Sequence, residues 1–217
     1  MIITIDGVSA SGKGSLARML SDQYTLPVLG TGSLWRLLAF ELETAGVKAT
    51  DVDVEMHGLE QLDRMNLTML DDTRLVTEEV GRYASIISGF LDLRNEMDEM
   101  QRQWAARPGG GIIEGRETGI SIAPQAEHKF FLIAHADERA QRRAAALGAD
   151  PSDVFASLRD RDFREINRPV APIRPAPDAL IIDTTDMDID EVFDTAAMAI
   201  EGKKSWVRMF KQYSVAG

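Results

Sequence analysis

Near its start the chain carries a lysine set among glycines, Gly7-Val8-Ser9-Ala10-Ser11-Gly12-Lys13-Gly14-Ser15, between the apolar run Ile2-Ile3-Thr4-Ile5 and the helix-like Leu16-Ala17-Arg18-Met19-Leu20. Glycines let the backbone curl so that successive N–H groups converge on one concavity. Lys13 adds a mobile positive charge, and the following helix aims its N-terminal dipole at the same point. That is the chemistry of a cradle for the phosphates of a nucleoside triphosphate. Arginines supply the second set. Arg36 lies about one turn into the helix after Gly30-Thr31-Gly32, Arg116 follows a third apolar run, and Arg161, Arg164 and Arg168 are spaced along one later stretch. On a helix Arg161, Arg164, Glu165 and Arg168 share a face. Alone, such a stretch, laced with Asp160 and Asp162, reads as a solvated charged surface. Beside a triphosphate loop it reads differently, because phosphoryl transfer needs positive charge around the migrating group and little covalent help from the protein.

These residues must be positioned by elements, and the pattern of elements is regular. Short apolar runs at Ile2–Ile5, Leu26–Leu29, Ile112–Glu114, Lys129–Ile133 and Ala179–Asp183 are separated by longer helical patterns, the first of these running from about Ser33 to Thr44. Strands alternating with helices predict a parallel five-stranded sheet in a three-layer α/β arrangement, with ligands at the carboxyl ends of the strands. Two stretches break the alternation. Asn66-Leu67-Thr68-Met69-Leu70, Asp71-Asp72 and Thr73-Arg74-Leu75-Val76 read as a small hairpin, followed by one helix from Glu79 to about Arg107. The second stretch, Asp150 to Pro177, is rich in Arg, Asp and Pro. Both are candidates for lobes that close over substrates. From Gly202, Lys203, Lys204 and Arg208 among Trp206, Val207 and Phe210 read as a short basic amphipathic helix docked on the body.

Composition sets outer bounds. At 217 residues with 44% apolar side chains the chain can fill one core with mobile insertions. Cysteine is absent, which excludes disulfides, thiolate metal sites and cysteine nucleophiles. A net charge of −11 argues against a nucleic-acid surface. No apolar run reaches membrane-spanning length, and with a strand read from Ile2 no leader segment is expected; a cytoplasmic protein without membrane or nucleic-acid partners follows as the expectation.

In the loop, Lys13 is followed by Gly14 and the hydroxyl comes at Ser15, an order that points to nucleoside monophosphate kinases. Further blocks agree in order and spacing: Leu29-Gly30-Thr31-Gly32-Ser33-Leu34-Trp35-Arg36, Glu114-Gly115-Arg116-Glu117-Thr118-Gly119, Asn167-Arg168-Pro169-Val170-Ala171-Pro172 and Ala176-Pro177-Asp178-Ala179-Leu180-Ile181-Ile182-Asp183-Thr184-Thr185. Together they resemble the bacterial cytidylate (CMP/dCMP) kinases over nearly the whole chain. The resemblance implies a P-loop NTPase fold in a single domain, residues 1–217. Its core would be 1–30, 108–149 and 178–217, its NMP-binding insertion about 31–107 and its lid about 150–177. It implies transfer from ATP, with Mg²⁺ near Ser15, to CMP or dCMP. Lys13 and the amides from Gly7 to Ser15 would hold ATP, and Thr31, Arg36, Arg116, Arg161, Arg164 and Arg168 would surround the acceptor phosphate and the transferred group. Trp35 would be an aromatic wall. Ser85, Arg94, Glu117 and Arg168 would form the cytosine pocket, and Arg161 and Glu165 would contact the sugar. Arg139 and the Asp183-Thr184-Thr185 turn are candidates for adenine contacts, and a monomer is expected.

The chain departs from the family pattern mainly on the acceptor side. Gly30 stands where an aspartate is usual, Trp35 where a tyrosine is usual, and Glu114 and Glu117 replace two aspartates. Glu165 and Ile166 replace residues that are often Asp and Arg. A glutamate is one methylene longer, so its carboxylate must lie elsewhere or push the backbone back. Cytosine presents an N4 donor with N3 and O2 acceptors, and uracil inverts part of that set, so a pocket of Glu117, Ser85 and arginines favours cytosine. Two alternatives stand beside this reading: a kinase of the same fold with another small acceptor, or a nucleotide-binding regulatory protein that has lost turnover.

Overall fold

A computed structural model describes residues 1–202. The helix expected beyond Gly202 lies outside the described residues. The five apolar runs are strands: β1 (Ile2–Gly7), β2 (Val28–Gly30), β3 (Gly111–Glu114), β4 (His128–Ile133) and β5 (Leu180–Asp183). All neighbours pair in parallel, in the order β2-β3-β1-β4-β5. β1 is central, with Ile5 opposite Glu114 and Gly7 opposite Leu132. Nothing but glycine fits at the end of β1, because a Cβ on Gly7 would lie 2.0 Å from the Leu132 carbonyl oxygen. From β1 the chain crosses to β2 on one side and later to β4 on the other. The crevice of a parallel sheet opens at such a reversal, and the loop after Gly7 sits there.

The helices are α1 (Lys13–Tyr24), α2 (Thr31–Thr44), α3 (Val54–Leu62), α4 (Glu78–Ile87), α5 (Leu91–Ala105), α6 (Thr118–Ser121), α7 (Ala136–Leu147), α8 (Pro151–Asn167) and α9 (Ile189–Ile200). α1 and α9 cover one sheet face, packing Leu16, Leu20, Val192 and Ala196 on Ile3, Ile5, Phe130 and Ile182. The other face packs Ile113 against Ile122, Ala123 and Ala105. Burial from both sides explains why the strands read as continuous apolar runs. α2 to α5 share a core of their own around Leu38, Ile87, Leu93 and Met97, and α7 and α8 pair through Ala140, Ala144, Val154 and Leu158.

Two expectations for the first insertion need correction. No hairpin forms over 66–76; Leu67–Met69 and Thr73–Val76 are 3₁₀ turns. Asn66 accepts from the Thr68 amide and Asp72 from the Arg74 amide, so the polar residues cap two separate turns instead of reversing a ribbon. α3 precedes them and was not anticipated. The single helix over 79–107 is two, broken at Ser88-Gly89-Phe90, where Phe90 is extended at φ −77° and ψ 130°. Apolar periodicity runs through the break, but a Ser-Gly pair favours a turn over continued helix. The break frees the Ser88 carbonyl, which accepts a hydrogen bond from Arg94 Nε at 3.0 Å.

Candidate active site

Helix α1 starts bare, as α2 does. Gly12, its N-cap, is left-handed at φ 94°, no side chain caps the helix, and its first turn holds no acidic residue. By contrast α8 and α9 are capped by Asp150 and Asp188. The free amides at the start of α1 are therefore available to an anion. Beside them Ser11, Gly12 and Ser15 line a hollow whose far wall includes Arg142, Thr184, Met187 and Val192. Arg142 Nη2 donates to the Thr184 carbonyl at 2.6 Å, and Thr184 Oγ1 donates to the Ser11 carbonyl at 3.2 Å, which ties that wall to the loop. Arg139 is buried and braces the loop instead, donating to the carbonyls of Ala134 and Ser9 and to Asp162.

Lys13 is 4% exposed; its Nζ donates to the Val8 carbonyl at 2.7 Å and lies 3.8 Å from Glu114 Oε1. Burial, reinforced by the nearby Arg116 guanidinium, pulls its pKa down to about 7. Arg116 Nε donates to Glu165 Oε2 at 2.6 Å, and Arg161 Nε to Glu165 Oε1 at 3.1 Å. Burial opposes ionisation of Glu165, but Arg116 and Arg161 outweigh it and hold its pKa at about 2. Arg36 is pushed down to about 9 by burial and then by Arg161 and Arg143. Three cations, Lys13, Arg116 and Arg161, thus converge on Glu114 and Glu165 in a protein whose net charge is −11, with Arg36 nearby. Positive charge concentrated in this way suits an anion.

Gly30 and Glu114, both departures from the family pattern, fit each other. A Cβ on Gly30 would approach Glu114 Oε2 to 3.7 Å and Ser33 Oγ to 3.3 Å, so the longer Glu114 side chain reaches toward the space left open there. The Arg116-Glu117 turn is fixed from below by Asp6, which accepts from Thr118 N and Oγ1 and from Gly119 N at 2.8, 2.9 and 2.8 Å. One carboxylate on β1 therefore couples the strand that feeds the phosphate loop to the turn that feeds the second site.

That second site is a polar cavity beyond Arg116. Arg94 Nη1 donates to Glu117 Oε1 at 3.2 Å, and the Arg94 guanidinium lies 5.5 Å over the Trp35 ring. Arg168 Nη1 donates to Ser88 Oγ at 3.3 Å, and Arg168 Nε to the Ala171 carbonyl. Burial raises the Glu117 pKa against the pull of Arg94, with Asp98 adding to the rise. Ser85 Oγ and Gln101 Nε2 are buried with no hydrogen-bond partner. Buried orphans are uncommon and mark places where a ligand or water completes the set.

Of the residues singled out in the sequence, the cavity gathers Thr31, Trp35, Ser85, Arg94, Arg116, Glu117, Arg161, Glu165 and Arg168. Arg36 is not on its wall; Nη1 donates to the carbonyls of Leu75 and Thr77 at 2.7 and 3.0 Å. The common face of Arg161, Arg164, Glu165 and Arg168 is realised only as far as Glu165. α8 ends at Asn167, so Arg168 is an extended cap, and Arg164 lines a neighbouring hollow with Arg161, Glu78 and Ser157. Sequence reading missed Asp6, Ser88, Asp98, Gln101 and Arg142. Asp98 and Gln101 had a signal, for with Arg94 they form a polar i, i+4, i+7 stripe beside the apolar Leu93 and Met97.

A parallel sheet with an uncapped helix start at its switch point, a buried loop lysine and a basic cavity facing it define a P-loop phosphotransferase with a second site for an anionic acceptor. The chain belongs to the cytidylate kinase family, whose model matches residues 3–202. Among similar proteins, one from Methylocella silvestris named cytidylate kinase is 37% identical, covering 96% of this chain and 97% of its own. Another of that name from Paramagnetospirillum magneticum is 37% identical over 94% and 98%. A crystal structure of an uncharacterized protein from Eubacterium ventriosum ATCC 27560 shares the fold, with TM-score 0.53 and 16% identity over 94% of this chain and 99% of that one.

Proposed function

We propose that the protein transfers the γ-phosphoryl group of ATP to CMP or dCMP, giving ADP and CDP or dCDP. The observation that carries this reading is the arrangement of a cation-rich cluster between the phosphate loop and a cavity whose far end holds the Arg94–Glu117 pair. In the reaction an oxygen of the acceptor phosphate forms a bond to the γ-phosphorus while the bond from γ-phosphorus to the β–γ bridging oxygen breaks, and ADP leaves with that electron pair. The loop amides and Lys13 hold the donor phosphates, and Arg116 and Arg161 balance charge on the acceptor phosphate and migrating group. Arg36 and Arg168 add to that field from its edges. Glu117 accepts from the cytosine amine, Arg94 and Arg168 donate to the ring acceptors, and Glu165 orients the two arginines beside the sugar. The hollow between Ser11 and Val192 takes the adenosine end, with Thr184 and Arg142 on its wall.

Magnesium fits as an ion carried by the nucleotide. Ser15 is in the first turn of α1 on the donor hollow, and no group of three or more acidic or histidine residues among those described could hold a metal unaided. When bound, it neutralises charge on the phosphate oxygens. We further propose a cytoplasmic monomer, whose lobes need free surface to close; no helix among the described residues is long and apolar enough to cross a membrane. Phosphorus NMR with ATP, Mg²⁺ and CMP tests the reaction. CDP should accumulate in step with ADP, and ADP formation without CDP would overturn it.

A further inference from the structure

We propose that Asp98 is a specificity-determining residue, a second acceptor beside Glu117 for the exocyclic amine of the pyrimidine; this rests on reading the cavity as a cytidine monophosphate site. Asp98 is 6% exposed and stands on α5 one turn after Arg94, on the cavity wall. Arg94 Nη1 is 3.5 Å from Asp98 Oδ1, beyond a normal hydrogen bond, and is nearer to Glu117 Oε1 at 3.2 Å. No hydrogen bond to the Asp98 carboxylate is made by the described residues. A buried carboxylate without one is costly unless something entering the cavity supplies it.

An independent observation points the same way. Gln101, one further turn along α5 and 2% exposed, lines the same cavity with Nε2 unpartnered, and Ser85, also on its wall, has Oγ unpartnered too. One cavity thus carries Asp98, Glu117 with only Arg94 on its Oε1, an unpartnered hydroxyl and an unpartnered amide donor. An exocyclic amine has two N–H bonds and matches two acceptors, while ring oxygen and nitrogen match the amide and the arginines. A carbonyl oxygen in the amine's place would face two carboxylates, with its own lone pairs turned toward them and no N–H to offer. Sites that read a substrate through buried polar groups reject the mismatched analogue strongly, because those groups are left unpaired.

Asp98→Asn is isosteric and replaces an acceptor with a donor. In steady-state kinetics it should lower the ratio of kcat/KM for CMP over UMP by about tenfold or more. If Asp98 only steadied Arg94, both substrates would suffer equally; an unchanged ratio overturns the proposal. Glu117→Gln separates this from the underlying reading. A ratio altered by Glu117→Gln but not by Asp98→Asn sinks the Asp98 role alone, whereas a ratio altered by neither sinks the cytidine reading itself. N4-methyl-CMP, with one N–H, puts the question to the unaltered protein: its KM should exceed that of CMP, and a KM within about twofold contradicts the second acceptor.

Discussion

Lys13 is a charge kept where charge is disfavoured, with its pKa drawn from 10.5 to about 7 by burial and by Arg116. A lysine whose folded pKa lies below its unfolded value penalises the folded state while it is protonated. The penalty is full below about pH 7 and fades as pH rises toward 10.5. Lys13→Met should therefore match or exceed the parent protein in stability at pH 6, with the gap closing by pH 10, while kcat falls by about a hundredfold or more. Thermal melts across that range and single-turnover rates check both halves; a kcat within about threefold of the parent would remove the lysine from the mechanism. At this scale the sequence was informative wherever a residue type had no bland use. A lysine inside a glycine loop and an arginine following a strand end were legible, and so was Glu117 once the blocks were set side by side. Asp98 was not, because an aspartate four residues after an arginine on a helix ordinarily means a surface pair. Only the packing of α5 against Trp35 and Glu117 makes that pair a buried wall.

Elements were legible where both faces are buried and illegible where local polar chemistry competes with periodicity. β1, β3 and β4 have unbroken apolar runs because helices cover both sides of the sheet. Residues 66–76 mix turn-formers with apolar side chains, and Asn66 and Asp72 settle the outcome by capping 3₁₀ turns. α4 contains a glycine inside a helix, which ordinarily costs about 0.5–1 kcal/mol against alanine. Space explains it: a Cβ on Gly81 would lie 2.5 Å from Arg36 Nη2, and the Gly81 carbonyl accepts from Arg161 Nη2 at 3.4 Å. Gly81→Ala should leave the melting temperature level or raised while displacing Arg36 and raising KM for the acceptor several-fold, as acceptor titrations with ATP saturating would show. An unchanged KM would mean that Arg36 gives way without affecting the acceptor.

In the whole molecule, the turn after β3 and helix α8 are joined across the crevice by one carboxylate, Glu165, shared between Arg116 and Arg161. Its folded pKa of about 2 lies below the ordinary 4.5, so its stabilisation is present above 4.5 and is lost as pH falls through 2. Glu165→Gln leaves two buried arginines without their anion and should cost about 3–5 kcal/mol near neutral pH. Denaturant midpoints should show the difference shrinking below pH 4.5; a constant difference down to pH 2 would contradict the assigned pairing. The parallel sheet and the place of the crevice followed from alternating apolar runs and the loop at Gly7. How the insertions fold around the crevice did not, because the bonds from Arg116 to Glu165 and from Arg168 to Ser88 join residues 49 and 80 positions apart. The most direct test of the whole account is a coupled ADP-release assay with MgATP across CMP, dCMP, UMP, AMP and shikimate. Cytidine nucleotides should exceed the others in kcat/KM by about tenfold or more. Turnover without preference for them would contradict the acceptor assignment, and no turnover with any acceptor would leave a nucleotide-binding protein in place of a kinase.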